Sequence, residues 1–237
     1  MRASKPKKPK TFAPSLAGRC LRYAVMDLLG FGRMLSEDTL TAMRAGSSWH
    51  RTFQSRLVHE GEVLGLEVPI KNEELGISGR IDAVIKEHDK MVAVEYKTVY
   101  ADKYRQIEEH GPLFDHWAQL ALYVNLGRYE MGRLIVDNRE SEERLTFGLL
   151  PSTKWETWLI VRIQLARRYQ LQRMLPSREI SLRCLHCDRW QRCFKTEEER
   201  AQMVQSHPLW EPNPPLPEQY FTAGAYGILS EPTEHSN

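Results

Sequence analysis

The chain has 237 residues, with 33 Lys and Arg against 31 Asp and Glu, a formal net charge of +2. At 41% hydrophobic and 27% charged residues it is globular in composition, and its length suits one sizeable α/β domain with an embellishment better than two full domains. No run approaches the roughly 20 apolar residues that a membrane span needs, and the small positive charge permits nucleic-acid binding without arguing for it.

The opening "MRASKPKKPK" is basic but has no apolar stretch behind it, so it does not read as a secretory signal, and a cytoplasmic protein is expected. Residues 1–12 are expected to form a disordered basic tail, whose lysines either touch phosphates or only solubilise the chain. Helical periodicity follows over about 15–30 and 36–59, with Ser36 as N-cap and Thr39 to Leu57 as the body of the second helix. Three strands come next, at 61–70, 76–85 and 90–99, divided by the turn-type residues "KNEEL" and "KEHD". The spacing then predicts a helix over 115–127 capped by Gly127, strands over 132–138 and 143–150, and a long helix over 152–175 stopped by Pro176. The remainder reads as irregular, with a Pro-rich segment at 211–219. This order predicts one mixed sheet with helices on both faces. The expected division is a tail (1–12), a domain (13–200) and a C-terminal extension (201–237).

Three charged residues interrupt the apolar strands. In "GRIDAVIKEHDKMVAVEYKT", Glu95 and Lys97 alternate with Tyr96 and so share a face. The "KEHD" turn folds Asp82 of the preceding strand back towards them. A buried carboxylate is costly unless it is paired or binds a metal. Two close carboxylates attract a hard divalent cation, and Lys97 beside them can hold a water or counter charge on a phosphate. A lone Glu-x-Lys is more often a solvated strand pair, so the wider pattern has to decide. Gly46-x-x-x-His50 precedes it on a helix. Gln119 and Tyr123 follow, one helical turn apart and on one face.

Gly-x-x-x-His, Gly79-x-x-Asp82, Glu95-x-Lys97 and Gln119-x-x-x-Tyr123, in that order, resemble the RecB-type branch of the PD-(D/E)XK nuclease superfamily, although Ile81 stands where the superfamily's name has Pro. The resemblance implies a restriction-endonuclease-like α/β fold and a Mg2+- or Mn2+-dependent DNA exonuclease acting on ends or single strands. It implies that His50, Asp82 and Glu95 hold the metal, with the Tyr96 carbonyl as a further ligand, that Lys97 orients the nucleophile, and that Gln119 and Tyr123 position those side chains or the DNA. A structure-specific endonuclease and a non-cleaving DNA-end-binding subunit of a recombination or CRISPR-adaptation complex are the alternatives. Protein partners from such complexes and self-association are expectations of the same kind.

Cys20 stands near the N-terminus, and Cys184, Cys187 and Cys193 form C-x2-C-x5-C in "RCLHCDRWQRC". In an intracellular chain this clustering points to a metal rather than to disulfides. The spacing leaves zinc, held by the four cysteines or by three of them with His186 or His207, and iron–sulfur both open. One cysteine before the nuclease motifs and three after them resembles the CRISPR-associated exonucleases of the fourth Cas family, which implies that these four thiolates hold a 4Fe–4S cluster joining the chain ends. Arg22 keeps that family's basic residue, and Leu21 replaces its common Pro. On the long helix, Lys154, Arg162, Arg167, Arg168 and Arg173 are expected either to line a DNA path or to form a solvated face.

Overall fold

In the computed structural model, which describes residues 10–60, 63–141 and 143–206, the three apolar runs pair as an antiparallel meander. They are β1 (Val63–Asn72), β2 (Ile77–Glu87) and β3 (Lys90–Val99). The β2–β3 turn is tight because His88 and Asp89 both take left-handed angles, φ 47° and 63°, as a type I′ hairpin requires. β4 (Met131–Asn138) lies parallel to β3, and β5 (Arg144–Leu149) lies antiparallel to β4, so the sheet order is β1-β2-β3-β4-β5. A parallel neighbour needs a crossover, which α3 (Ala101–His110) and α4 (Phe114–Gly127) supply.

Both faces of the sheet are covered. The larger core packs α1 (Leu21–Leu28), α4 and α5 (Thr153–Gln172) on one face, through Val25, Trp117, Leu120, Leu134 and Trp155. On the other, α2 (Glu37–Glu60) sets Phe53 against Ala83, Val94, Tyr96 and Ile135. Strands buried on both faces read as continuous apolar runs, as Val92, Ala93 and Val94 do in β3. Gly132 lets α4 close on β4, since a Cβ there would lie 2.5 Å from Val124 Cγ2.

The structure corrects several expected boundaries. The first helix is not continuous over 15–30. A 3-10 turn spans Pro14–Leu16 and α1 begins at Leu21, capped by Cys20, whose Sγ accepts the Tyr23 N–H at 3.3 Å. The helix over 101–110 is absent from the sequence reading because "ADKYRQIEEH" offers only Tyr104 and Ile107 to the core. The part after Pro176 read as irregular holds a helix, α6 (Glu197–Gln205): Thr196 Oγ1 accepts the Glu199 N–H at 3.1 Å, a capping-box start. α4 includes Gly127, and Arg128 takes the left-handed cap, φ 62°. α5 likewise ends at Gln172 with Arg173 left-handed, three residues before Pro176 can act. The extension cannot start at 201, because Val204 packs with Ile180 and Phe194. The Pro-rich segment lies outside the described residues.

The tail does not reach residue 12. Phe12 is buried in the main core and bridges to Ile77, its N–H donating to Gly76 O at 2.8 Å and its carbonyl accepting from Ser78 N at 3.1 Å. Residues 1–9 lie outside the described residues. Phe12→Ala should therefore lower stability by about 3 kcal/mol in urea unfolding, the usual cost of emptying a buried aromatic site. A tail residue would change it by less than about 0.5 kcal/mol.

Candidate active site

The β2–β3 ladder stops at Ala83–Val94. Just beyond it, Asp82 Oδ2 accepts the Tyr96 N–H at 2.8 Å, so a side chain continues the pairing where the backbone leaves off. The β1–β2 pairing is disturbed at the same level. The ladder skips one pair between Leu66–Ala83 and Val68–Ile81 with the register unchanged, and Glu67 takes φ 49°. Ile81 faces the larger core while Ala83 faces α2, so side-chain alternation breaks at Asp82. Such a kink re-aims one side chain out of a regular strand.

β3 stays regular. Tyr96 faces α2 and Glu95 the opposite side, where it has no solvent exposure. Lys97 Nζ pairs with Glu95 Oε1, and neither carboxylate oxygen receives a further well-formed hydrogen bond. Burial pushes Glu95 up to about 7, against the Lys97 charge and reinforced by Asp82. Burial raises Asp82 too, opposed by Lys97 and the Tyr96 N–H. For Lys97 burial pulls downward, but Glu95 and Asp82 together hold it above its ordinary value. The site thus contains two carboxylates and one ammonium.

His50 lies across α2 with Nδ1 3.7 Å from Asp82 Oδ2 and its ring edge-on to Tyr96 at 5.1 Å. Burial and the Lys97 charge lower its pKa. It is therefore neutral at pH 7, and the 3.7 Å approach is a close contact rather than an ion pair. A neutral imidazole has a lone pair to offer a metal.

Gln119 and Tyr123 act on the backbone. Gln119 Nε2 donates to Tyr123 OH at 2.8 Å, and Tyr123 OH donates to Arg80 O at 2.9 Å. The α4 pair pins β2 two residues before Asp82, a positioning role. Sequence reasoning missed Gln54. Its Nε2 donates to Asp82 O at 3.1 Å and Glu67 Oε1 at 3.0 Å, and its spacing of one helical turn from His50 was the available signal. It also missed Asp137, which accepts from Tyr96 OH at 2.8 Å and from both arms of Arg144 at 2.6 and 2.9 Å. No local pattern announces that contact across two strands.

The sequence-chosen residues are neighbours without converging on one point. Among the described residues, no three His, Cys, Asp or Glu side chains form a ready-made metal site. Asp82 is turned to the Tyr96 N–H, His50 stands off, and Lys97 takes the Glu95 oxygen. On the long helix, two of the five cations serve the fold. Arg162 donates to Arg19 O at 2.5 Å, and Arg167 donates to Lys10 O at 3.2 Å.

Cys20, Cys184, Cys187 and Cys193 line one cavity together with Arg22 and Trp190, and none is in a disulfide. His186 is not in its lining, and His207 lies outside the described residues. Burial first, then neighbouring charge, pushes Cys20 up to about 12; burial also raises Cys187 and Cys193. Thiols so placed ionise only for a cation, and four soft sulfur donors suit zinc or iron. The two ends of the domain also meet through polar contacts. Leu21 N donates to Glu179 Oε2 at 2.6 Å, Arg22 to Pro176 O at 2.6 Å, and Arg189 to Asp27 at 2.6 Å.

An Asp on one strand and a Glu-x-Lys on the next, at the kinked end of a mixed sheet, is the layout that a PD-(D/E)XK signature describes. The chain belongs to the PD-(D/E)XK nuclease superfamily, whose family model matches residues 16–194. The crystal structure of SSO0001 is similar at a TM-score of 0.53 and 21% identity, over 79% of this chain and 87% of that one. LHK-Exo in complex with dAMP is similar at a TM-score of 0.55 and 9% identity, over 69% of this chain and 89% of that one. The structure of this alkaline exonuclease from Laribacter hongkongensis also aligns at 0.54 and 7% identity, with the same coverage. At these identities the likeness is one of fold. No protein of curated function matches the sequence. Among the described residues, no helix is long and apolar enough to cross a membrane.

The raised Glu95 pKa makes a pH prediction. A carboxyl at about 7 in the fold and 4.5 unfolded contributes stability that is present below 4.5 and lost as pH rises through 7. His116, pushed down to about 3 by burial and Lys97, has the opposite slope from 3 up to its unfolded 6.5. The total profile is therefore a poor readout, and the difference from Glu95→Gln is the useful one. Without divalent metal, Glu95→Gln should exceed the native protein in stability by about 3 kcal/mol near pH 8, narrowing to about 1 kcal/mol near pH 5. Urea unfolding in EDTA at the two pH values measures it.

Proposed function

We propose that the protein is a metal-dependent deoxyribonuclease that hydrolyses phosphodiester bonds at DNA ends or in single strands. The observation that carries this reading is the buried Glu95 carboxylate, unsolvated, beside Asp82, with Lys97 as its one charged partner of opposite sign. A net negative, poorly solvated pocket attracts a small hard cation. Its oxygen donors are Asp82, Glu95 and the Tyr96 carbonyl, with neutral His50 as a nitrogen donor, and Mg2+ or Mn2+ suits that set. Such an ion supplies charge neutralisation and a bound water of lowered pKa. Once the Glu95 charge is shared, the Lys97 ammonium is free to orient the attacking water and counter charge on the phosphate. Gln119, Tyr123 and Gln54 hold the β2 backbone that presents Asp82. Preference for DNA ends draws support from the fold likeness to an alkaline exonuclease. The motif resemblance extends the proposal to a subunit that works beside protein partners in CRISPR adaptation or recombination.

Asp82→Asn and Glu95→Gln should each lower cleavage of end-labelled DNA by at least about a hundredfold and weaken Mn2+ binding in calorimetry. Lys97→Ala should lose cleavage comparably and keep Mn2+ binding. Near-native cleavage by Glu95→Gln would reduce the charges to ordinary strand residues.

For the cysteine cavity we propose a 4Fe–4S cluster held by Cys20, Cys184, Cys187 and Cys193. The four-sulfur lining supports it, as does the order of one cysteine before the nuclease motifs and three after. Its role is structural, joining the chain ends. Protein purified without oxygen should contain about four iron and four labile sulfide per chain. Stoichiometric zinc without sulfide would replace this assignment.

A further inference from the structure

Asp115 stands where three parts of the chain meet. It lies in the first turn of α4. Arg19 places Nη1 3.4 Å from its Oδ2, and Arg183 places Nη2 4.0 Å from its Oδ1. Arg19 immediately precedes Cys20, and Arg183 immediately precedes Cys184. The two arginines therefore bring both halves of the four-cysteine cavity onto one carboxylate. Arg183 ties these parts further: it donates to Gly18 O at 2.8 Å, and its guanidinium lies over the Phe114 ring at 5.4 Å. Gly18 touches α4 through backbone alone, since a Cβ there would lie 2.3 Å from Asp115 Cα. At 3.4 and 4.0 Å the arginine contacts are charge contacts rather than tight hydrogen bonds.

The other end of this chain of contacts is the candidate active site. Residues 115, 119 and 123 follow one another at helical spacing and share a face of α4. Gln119 and Tyr123 run from that face to the Arg80 carbonyl, two residues before Asp82. We propose that Asp115 is a positioning residue that couples the four-cysteine site to the placement of Asp82. Whatever holds the cysteines holds Arg19 and Arg183. These hold the first turn of α4, and α4 sets the β2 backbone. This rests on the nuclease reading for its activity measurement and is independent of it for the rest.

The test is a double-mutant cycle in the full chain, with amide exchange as the second readout. Cys184→Ser should lower kcat about tenfold by misplacing reacting groups, with KM for DNA within about twofold. It should also accelerate deuterium exchange across residues 115–123 while leaving α2 unchanged. In Asp115→Asn the charge that gathers both arginines is gone. Metal content of the cysteine site should be unchanged, and adding Cys184→Ser should cost less than about twofold more in kcat. Arg183→Gln completes the same cycle should Asp115→Asn fail to fold. Independent, multiplicative losses in the double variant overturn the coupling. Unchanged exchange at 115–123 in Cys184→Ser, or equal acceleration in α2 and α4, also overturns it. A native protein that never cleaves DNA, but whose Cys184→Ser variant shows exchange confined to α4, overturns the nuclease reading and leaves the coupling standing.

Discussion

Glu95 places a carboxylate in the middle of the sheet with no water around it. In that setting a charge survives only if it is paired, and otherwise it takes up a proton. Its pair is Lys97, and Asp82 competes for the same ammonium. Two carboxylates against one ammonium leave a negative excess, and the neighbouring imidazole of His50 is neutral and cannot cancel it. Burial therefore raises Glu95 to about 7 and disfavours its ionised form in the fold, and a divalent cation is the partner proposed for it. On that proposal, a cost in stability at this point and an affinity for metal would be two aspects of one arrangement.

Tyr96 explains how the sheet holds that arrangement. Its ring stacks on Phe53 at 4.0 Å with 3° between the planes, its edge meets His50, and its hydroxyl donates to Asp137. Arg144 grips Asp137 from β5 with both arms. The Tyr96 N–H, meanwhile, fixes Asp82. One residue thus anchors β3 on the α2 side while its neighbours, Glu95 and Lys97, face away from that side. On their side, α4 holds the β2 backbone through Tyr123.

The arginines have a similar structural use. Arg22, Arg162, Arg183 and Arg189 spend donors on backbone or carboxylate groups from distant parts of the chain. Arg189 is almost fully buried and also lies over the Tyr23 ring at 4.6 Å. Much of the charge in this sequence is therefore internal bookkeeping, and a net charge of +2 says little about contact with DNA. Tied in this way, the segments that carry the cysteines meet around their shared cavity.

The sequence by itself determined the strands, the two long helices and the residues worth watching, because these depend on short-range patterns. Apolar runs broken by turn residues define β1 to β3. Helical spacing pairs Gln119 with Tyr123, and C-x2-C-x5-C groups three cysteines. Tertiary structure decided what those residues do. Asp82 reaches Tyr96 only because β2 kinks opposite Glu67, a distortion of two strands together. Tyr123 reaches the Arg80 carbonyl as well as the Glu95 side chain, since α4 lies directly over β2. Cys20 joins the other three across more than 160 positions because arginines and Glu179 draw the chain ends together. Phe12 belongs to the core, although its basic flank suggests a tail, because one buried ring outweighs the polarity of its neighbours. α3, with two buried apolar residues, is held by its place in the crossover between two parallel strands. Spacing along a chain encodes contacts within a turn or a hairpin, whereas charge balance in a buried pocket depends on which distant segments close over it.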